Sequence, residues 1–132
     1  MSMNSVLIDS LTRIRNAQRV RFKQVQLIHS NFVVGVLKVL NAEGFVGEFS
    51  LVKGDRGMTS ILLDLNYYNG KPVIEKIEVF SKPGCRYYVG YQDIKRYYNG
   101  LGVLVLTTSK GIITDHIARS SKVGGELLFG IF

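Results

Sequence analysis

The chain has 132 residues, of which 46% are hydrophobic and 20% charged. That is apolar enough to bury a core and too apolar for a disordered chain. Seventeen basic against ten acidic residues give a net charge of +7 and a pI near 9.7, which point to a polyanionic partner. The one cysteine, Cys85, excludes an internal disulfide framework and fits a reducing compartment. No apolar run approaches the roughly 20 residues of a membrane-spanning helix. The opening Met-Ser-Met-Asn-Ser lacks the charged and then apolar pattern of a secretory signal.

Residues 5–18 read as an amphipathic helix. Leu7, Leu11 and Ile14 recur at i, i+4 and i+7, with Ile8 beside them. Asn4 or Ser5 is expected to cap it, and Asp9 to sit early against the helix dipole. Val25 to Ile28 is extended. Ser30 or Asn31 opens a second helix that runs to Ala42 on the apolar face of Phe32, Val33, Val36, Leu37 and Leu40, and Gly44 stops it. Two strand-like runs, 45–53 and 58–67, flank the turn signal Gly54-Asp55-Arg56-Gly57. The order is αβαββ.

Asn69-Gly70-Lys71-Pro72 marks the expected boundary. Beyond it come short strands: 73–80, then a turn at Ser81-Lys82-Pro83-Gly84, then an extended aromatic run from Arg86 to Tyr91. A polar connection covers 92–98, with Val103 to Thr107 as a buried strand. After Ser109-Lys110-Gly111 the chain turns, Thr114 caps a helix over 115–121, and 126–132 form a last strand. The fold class is α+β, with two small packed subdomains: residues 1–70, and a mainly β part, 71–132, with one short helix. Basic residues outnumber acidic ones eight to five in the first and nine to five in the second, so charge is not gathered in a tail. No internal repeat is apparent.

Catalytic patterns are thin. His29 and His116 have no partner at metal-ligand spacing, and Cys85 has no histidine close in sequence. Gly100-Leu101-Gly102 precedes a strand, whereas a dinucleotide fingerprint precedes a helix. No cofactor or metal is called for, and no enzyme is expected.

Binding signals are stronger. Arg13, Arg15, Arg19, Arg21 and Lys23 fall within eleven residues with no acid among them. On a helix Arg15 and Arg19 lie on one face at i and i+4, with Thr12 and Asn16 nearby, a face that can follow a phosphate backbone or simply be solvated. Lys82, Arg86, Tyr87, Tyr88, Tyr91, Lys95, Arg96, Tyr97 and Tyr98 interleave cations with rings that can stack on bases. Tyr87 and Tyr88 are neighbours on a strand, so one is expected outside and the other in the core. Thr107, Thr108 and Ser109 place three hydroxyls at one turn, suited to a shallow RNA minor groove.

Four motifs in register carry a resemblance over nearly the whole chain. They are Leu11-Thr12-Arg13-Ile14-Arg15-Asn16-Ala17, Ser81-Lys82-Pro83-Gly84-Cys85-Arg86-Tyr87-Tyr88, Asn99-Gly100-Leu101-Gly102 with Thr107-Thr108-Ser109-Lys110-Gly111, and Gly124-Gly125-Glu126. Together they resemble the eighth small-subunit ribosomal protein family of the bacterial and organellar type. The resemblance implies a structural constituent of the small ribosomal subunit. Such a protein binds small-subunit rRNA at an irregular helix of the central domain and supports platform assembly and translation. It implies RNA contacts at Thr12, Arg13, Arg15, Asn16, Lys82, Arg86, Tyr88, Thr107, Thr108, Ser109, Lys110 and Gly111. Gly125 and Glu126 would organise the hydroxyl loop, since a carboxylate beside RNA would be repelled unless it accepts hydrogen bonds.

The implied partners are the rRNA, neighbouring small-subunit ribosomal proteins and the protein's own mRNA, with no membrane. The implied location is the ribosome, in a bacterial cytoplasm or, for an organelle-encoded gene, the mitochondrial matrix. Departures from the family pattern are Asn4-Ser5 for Asp-Pro, Thr107 for Ser, and Asp115-His116 where a cation often follows. Richness in Phe and Tyr with few Ala fits drift in an organellar or AT-rich bacterial gene. The competing classes are a small metabolic enzyme, favoured by a co-purifying small ligand, and a non-ribosomal RNA-binding module.

Overall fold

The computed structural model describes residues 3–132; residues 1 and 2, which open the segment lacking a signal pattern, lie outside the described residues. The chain is α+β and divides into two compact units, after Ile74.

The first unit begins with α1, Met3–Arg19. Its buried stripe is Asn4, Leu7, Leu11 and Ile14, spaced i, i+3, i+7 and i+10. Because Asn4 is on that stripe, the helix runs back past it, and neither Asn4 nor Ser5 is an N-cap. Asp9 is likewise not in the first turn; it pairs with Arg13 one turn on, at 3.0 Å. After β1, Gln24–Ile28, comes α2, Asn31–Ala42, which buries Val33, Val36, Leu37 and Leu40. Gly44, at φ +84°, ends it. The Phe45 N–H reaches the Leu40 carbonyl and the Gly44 N–H reaches that of Asn41, both at 3.0 Å, so two orphan carbonyls of the last turn are satisfied.

β2, Val46–Lys53, and β3, Thr59–Leu65, form the expected hairpin. The sheet order is β1-β3-β2, all antiparallel. Ile61, Leu63 and Leu65 alternate into the core with Leu27 and Val46. Residues 69–72 belong to a further small hairpin, β4, Tyr67–Tyr68, and β5, Lys71–Pro72.

In the second unit, β6, Ile77–Val79, is shorter than the expected 73–80. The extended run 86–91 contains only β7, Tyr88–Val89. The polar connection holds a single turn of 3-10 helix, Tyr91–Asp93, and a second tight turn, Tyr97–Gly100, in which Tyr98 and Asn99 take left-handed backbone angles. β8, Val103–Thr108, is followed by β9, Gly111–Thr114, a strand between the expected turn and the expected helix cap that the sequence does not announce. The run Ile112-Ile113-Thr114 is short but β-branched, which is why it pairs. α3, Asp115–Ser121, is capped as expected by Thr114, whose hydroxyl accepts the Ile117 N–H. β10, Gly125–Ile131, closes the unit. The sheet order is β6-β10-β8-β9, with β7 also on β10. β10 is therefore the axis of the sheet: β6 and β7 share one of its edges and β8 lies along the other.

The core here joins Leu104, Leu106 and Leu127 to Ala118 of α3 and to Ile94, with Phe80, Val89, Tyr97, Ile113 and Val123 around them. Asp115, buried at the start of α3, fastens the helix to the sheet. One of its oxygens accepts the Leu104 N–H at 3.2 Å and the other the Arg119 guanidinium at 2.7 Å.

Two stability outcomes follow from this packing. A Cβ on Gly125 would lie 2.3 Å from the Thr107 carbonyl oxygen, so Gly125→Ala should cost about 1–3 kcal/mol in denaturant titrations. The Tyr97 hydroxyl donates to Glu78 at 2.9 Å. Burial, and then this carboxylate, push the phenol well above its ordinary value of 10.0. The unfolded chain thus releases that proton first, and the stabilisation is full below pH about 10 and lost as pH rises beyond it. Tyr97→Phe should be less stable than the parent at neutral pH by about 1 kcal/mol. Its unfolding curve should also fall less steeply above pH about 10; an identical alkaline slope in both proteins would show that Tyr97 does not carry it.

Candidate nucleic-acid interface

β7, β10 and β8 lie side by side at the start of β10. Gly125 is opposite Val89 on one flank and Thr108 on the other; Glu126 is opposite Tyr88 and Thr107. Partners directly across an antiparallel ladder share a face. Tyr88, Glu126 and Thr107 are therefore on one side of the sheet. The strands can meet this closely because Gly124 and Gly125 have no side chain. A Cβ on Gly124 would stand 2.4 Å from the Val89 carbonyl oxygen, and one on Gly125 would meet Thr107. Backbone cannot yield to such an overlap.

Glu126 is buried. Its carboxylate accepts from the Ser81 hydroxyl and from Arg86 at 3.4 Å. Ser81, itself buried, accepts the Tyr87 N–H at 3.2 Å. The Pro-Gly turn between them is closed by reciprocal backbone bonds of Lys82 and Cys85, at 3.0 and 2.9 Å. These contacts tie Glu126 to the segment 81–87 at Ser81 and Arg86, whereas the resemblance implies that it organises the hydroxyl loop, and its charge is met by a guanidinium.

The hydroxyl turn closes itself. Thr108 Oγ1 donates to the Gly111 carbonyl at 3.0 Å and accepts the Lys110 N–H at 3.1 Å. Ser109, Lys110 and Gly111 are exposed at its tip, and Thr107 is half-buried beside Glu126. Tyr87 and Tyr88 are 48% and 70% exposed. The expectation that one of the pair enters the core is corrected: Tyr87 precedes β7 at the sheet's edge, where its ring stays half exposed. Tyr87 lies beside Phe80, ring centroids 6.1 Å apart.

In the first unit, Arg13, Arg15, Asn16 and Arg19 are exposed along α1. The Thr12 hydroxyl donates back to the Ile8 carbonyl at 2.9 Å. Arg13 donates to Asp9 at 3.0 Å and to the Gln26 carbonyl at 3.4 Å, so this cation is partly neutralised within its own helix. Arg15 carries its charge outward. No group of metal-ligating side chains occurs among the described residues, and no helix is long and apolar enough to cross a membrane.

The sequence reading missed Ser81 and Gly124 as parts of the site. Ser81 was legible only as a turn residue. The signal for Gly124 was present: two adjacent glycines before a strand suggest a close backbone approach.

Comparison with known proteins places the chain in a family. The family described as Ribosomal protein S8 matches residues 5–132. The chain is 48% identical to the Small ribosomal subunit protein uS8 of Thiobacillus denitrificans over 128 residues, 97% of each chain. It is 42% identical to that of Wolbachia pipientis over the full length of both. With that of Neorickettsia sennetsu it shares 41% over 98% of each. A match of this extent, covering all four motifs in order, shows that the chain belongs to the ribosomal protein S8 family.

Proposed function

We propose that this protein is a structural, non-catalytic constituent of the small ribosomal subunit. It binds small-subunit rRNA directly, at an irregular helix of the central domain, and supports platform assembly and translation. The observation that carries this reading is the convergence of Tyr88, Thr107 and the exposed Ser109-Lys110 tip around Gly125-Glu126. A ring for stacking, hydroxyls that donate and accept, and a lysine for phosphate stand on neighbouring strands. These are the groups that a shallow minor groove with unpaired bases can use. Lys82 and Arg86 add cations alongside.

Specific recognition belongs to the second unit. Glu126 acts there by holding Arg86 and the backbone before Tyr88, and its neutralisation removes the repulsion that a bare carboxylate would exert on phosphate. Gly125 sets the strand spacing. On α1, Arg15 and Asn16 supply a second contact, with Arg13 a weaker cation because Asp9 already engages it. The partners are the rRNA and neighbouring small-subunit proteins, and the location is the ribosome. The Phe- and Tyr-rich composition supports an organelle-encoded or AT-rich bacterial gene.

Two measurements on the cognate rRNA fragment test these roles. In titrations across salt concentrations, Arg15→Ala should lower the slope by about one unit and Arg13→Ala by less; equal slopes would make α1 a solvated face. Glu126→Gln removes a negative charge near RNA, which by charge alone should tighten binding. If Glu126 positions the Arg86–Tyr88 segment, affinity should instead fall by about 1–3 kcal/mol, with little change on a plain duplex. Binding as tight as the parent's would end that role for Glu126.

A further inference from the structure

A cavity opens in the second unit beside the proposed RNA surface. It has a volume of about 230 Å³, with Phe80, Tyr87 and Tyr97 among its walls, Leu104 and Leu127 on the sheet behind, and Lys95 and Arg96 contributing to its lining. Phe80 stands between the tyrosines. Its ring centroid is 6.1 Å from that of Tyr87 and 6.3 Å from that of Tyr97, the second pair edge-on at 81°. Tyr97 is fixed by its hydrogen bond to Glu78, whereas Tyr87 is half exposed. One wall is thus rigid and the other adjustable.

We infer that this cavity receives a single unpaired nucleobase from the bound RNA, held against Tyr87 with its phosphate met by Lys95 or Arg96. The volume is below the roughly 300 Å³ at which pockets for ordinary metabolites begin, yet ample for one planar ring system. Aromatic walls suit the faces of any base. The lining includes two cations, Lys95 and Arg96, against one carboxylate, Asp93, so the local balance favours phosphate. Strand alternation supplies the geometry: Tyr88 shares the face of Glu126 and Thr107, and Tyr87 projects to the other side of β7, over the cavity. An RNA strand passing the sheet's edge at β7 meets a ring on either side.

This inference rests on the RNA reading above, and its test separates the two. Adenosine 5′-monophosphate is first titrated into the intact protein by NMR. The ring resonances of Tyr87 and Tyr97 should shift saturably; shifts at Tyr88 without them would overturn the inference. The cognate rRNA fragment is then prepared with 2-aminopurine at each unpaired position in turn. At one position fluorescence should be quenched on binding, as the base stacks in the cavity. Tyr87→Leu should restore the emission and weaken binding about fivefold or more, while Tyr87→Phe, which keeps the ring, should behave as the parent. RNA bound at parental affinity by Tyr87→Leu, with no quenching at any position, would overturn the base site and leave the ribosomal reading intact. Failure of the parent protein to bind the fragment would overturn both.

Discussion

The second unit depends on how closely three backbones approach at Gly124-Gly125. A single methyl group there would overlap a carbonyl oxygen of β7 on one side and of β8 on the other. Hydrogen-bonded strands tolerate side chains because those project above and below the sheet. Here the start of β10 is wedged more tightly than that geometry allows for any residue but glycine. The distance from the Pro-Gly segment to the hydroxyl turn is fixed as a result. Tyr88 and Thr107 stand opposite Glu126 on its two flanks, so their backbones are held on neighbouring strands.

Within each unit, charge is arranged so that acids hold cations. Glu126 holds Arg86, Asp115 holds Arg119, and Asp9 holds Arg13. The environments separate their roles. Asp115 and Glu126 are buried and accept from further donors, Leu104 N–H and Ser81 respectively, so each ties chain segments together. Asp9 and Arg13 are both substantially exposed, and such a pair contributes little to stability. Its effect is to orient a guanidinium along the helix.

The α/β half was legible because its elements are long and periodic. The stripe from Leu7 to Ile14 and the alternation at Ile61, Leu63 and Leu65 leave little freedom of assignment. The helix start was misplaced because Asn4, a good capping residue, is here a buried one; preference tables do not register which face a side chain takes. The β half was harder. β6, β7 and β9 have two to four residues each, too few for a period, and they exist because β10 and β8 offer edges to pair with. The placing of Tyr87 failed for the same reason. Alternation says that two neighbours point apart, but only the sheet order says whether both sides are wet. The site motifs were readable as residues, while the grip of Ser81 on Glu126 spans 45 positions and leaves no local trace.

The position of β10 also sets a schedule. It follows every other strand of its sheet in sequence and lies inside that sheet, with Ile131 paired to Ile77 and to Val103. In the first unit every partner of the β1-β3-β2 sheet is present once Leu65 has been made. During synthesis, β6 and β8 must therefore wait with open edges until Gly125–Ile131 leaves the ribosome that is making them. Long-range pairings of this kind form slowly and expose unpaired backbone meanwhile. The first unit can be folded while the second is still a nascent chain, and the surface around Glu126 comes into being in one late step, as the final strand slots between its neighbours.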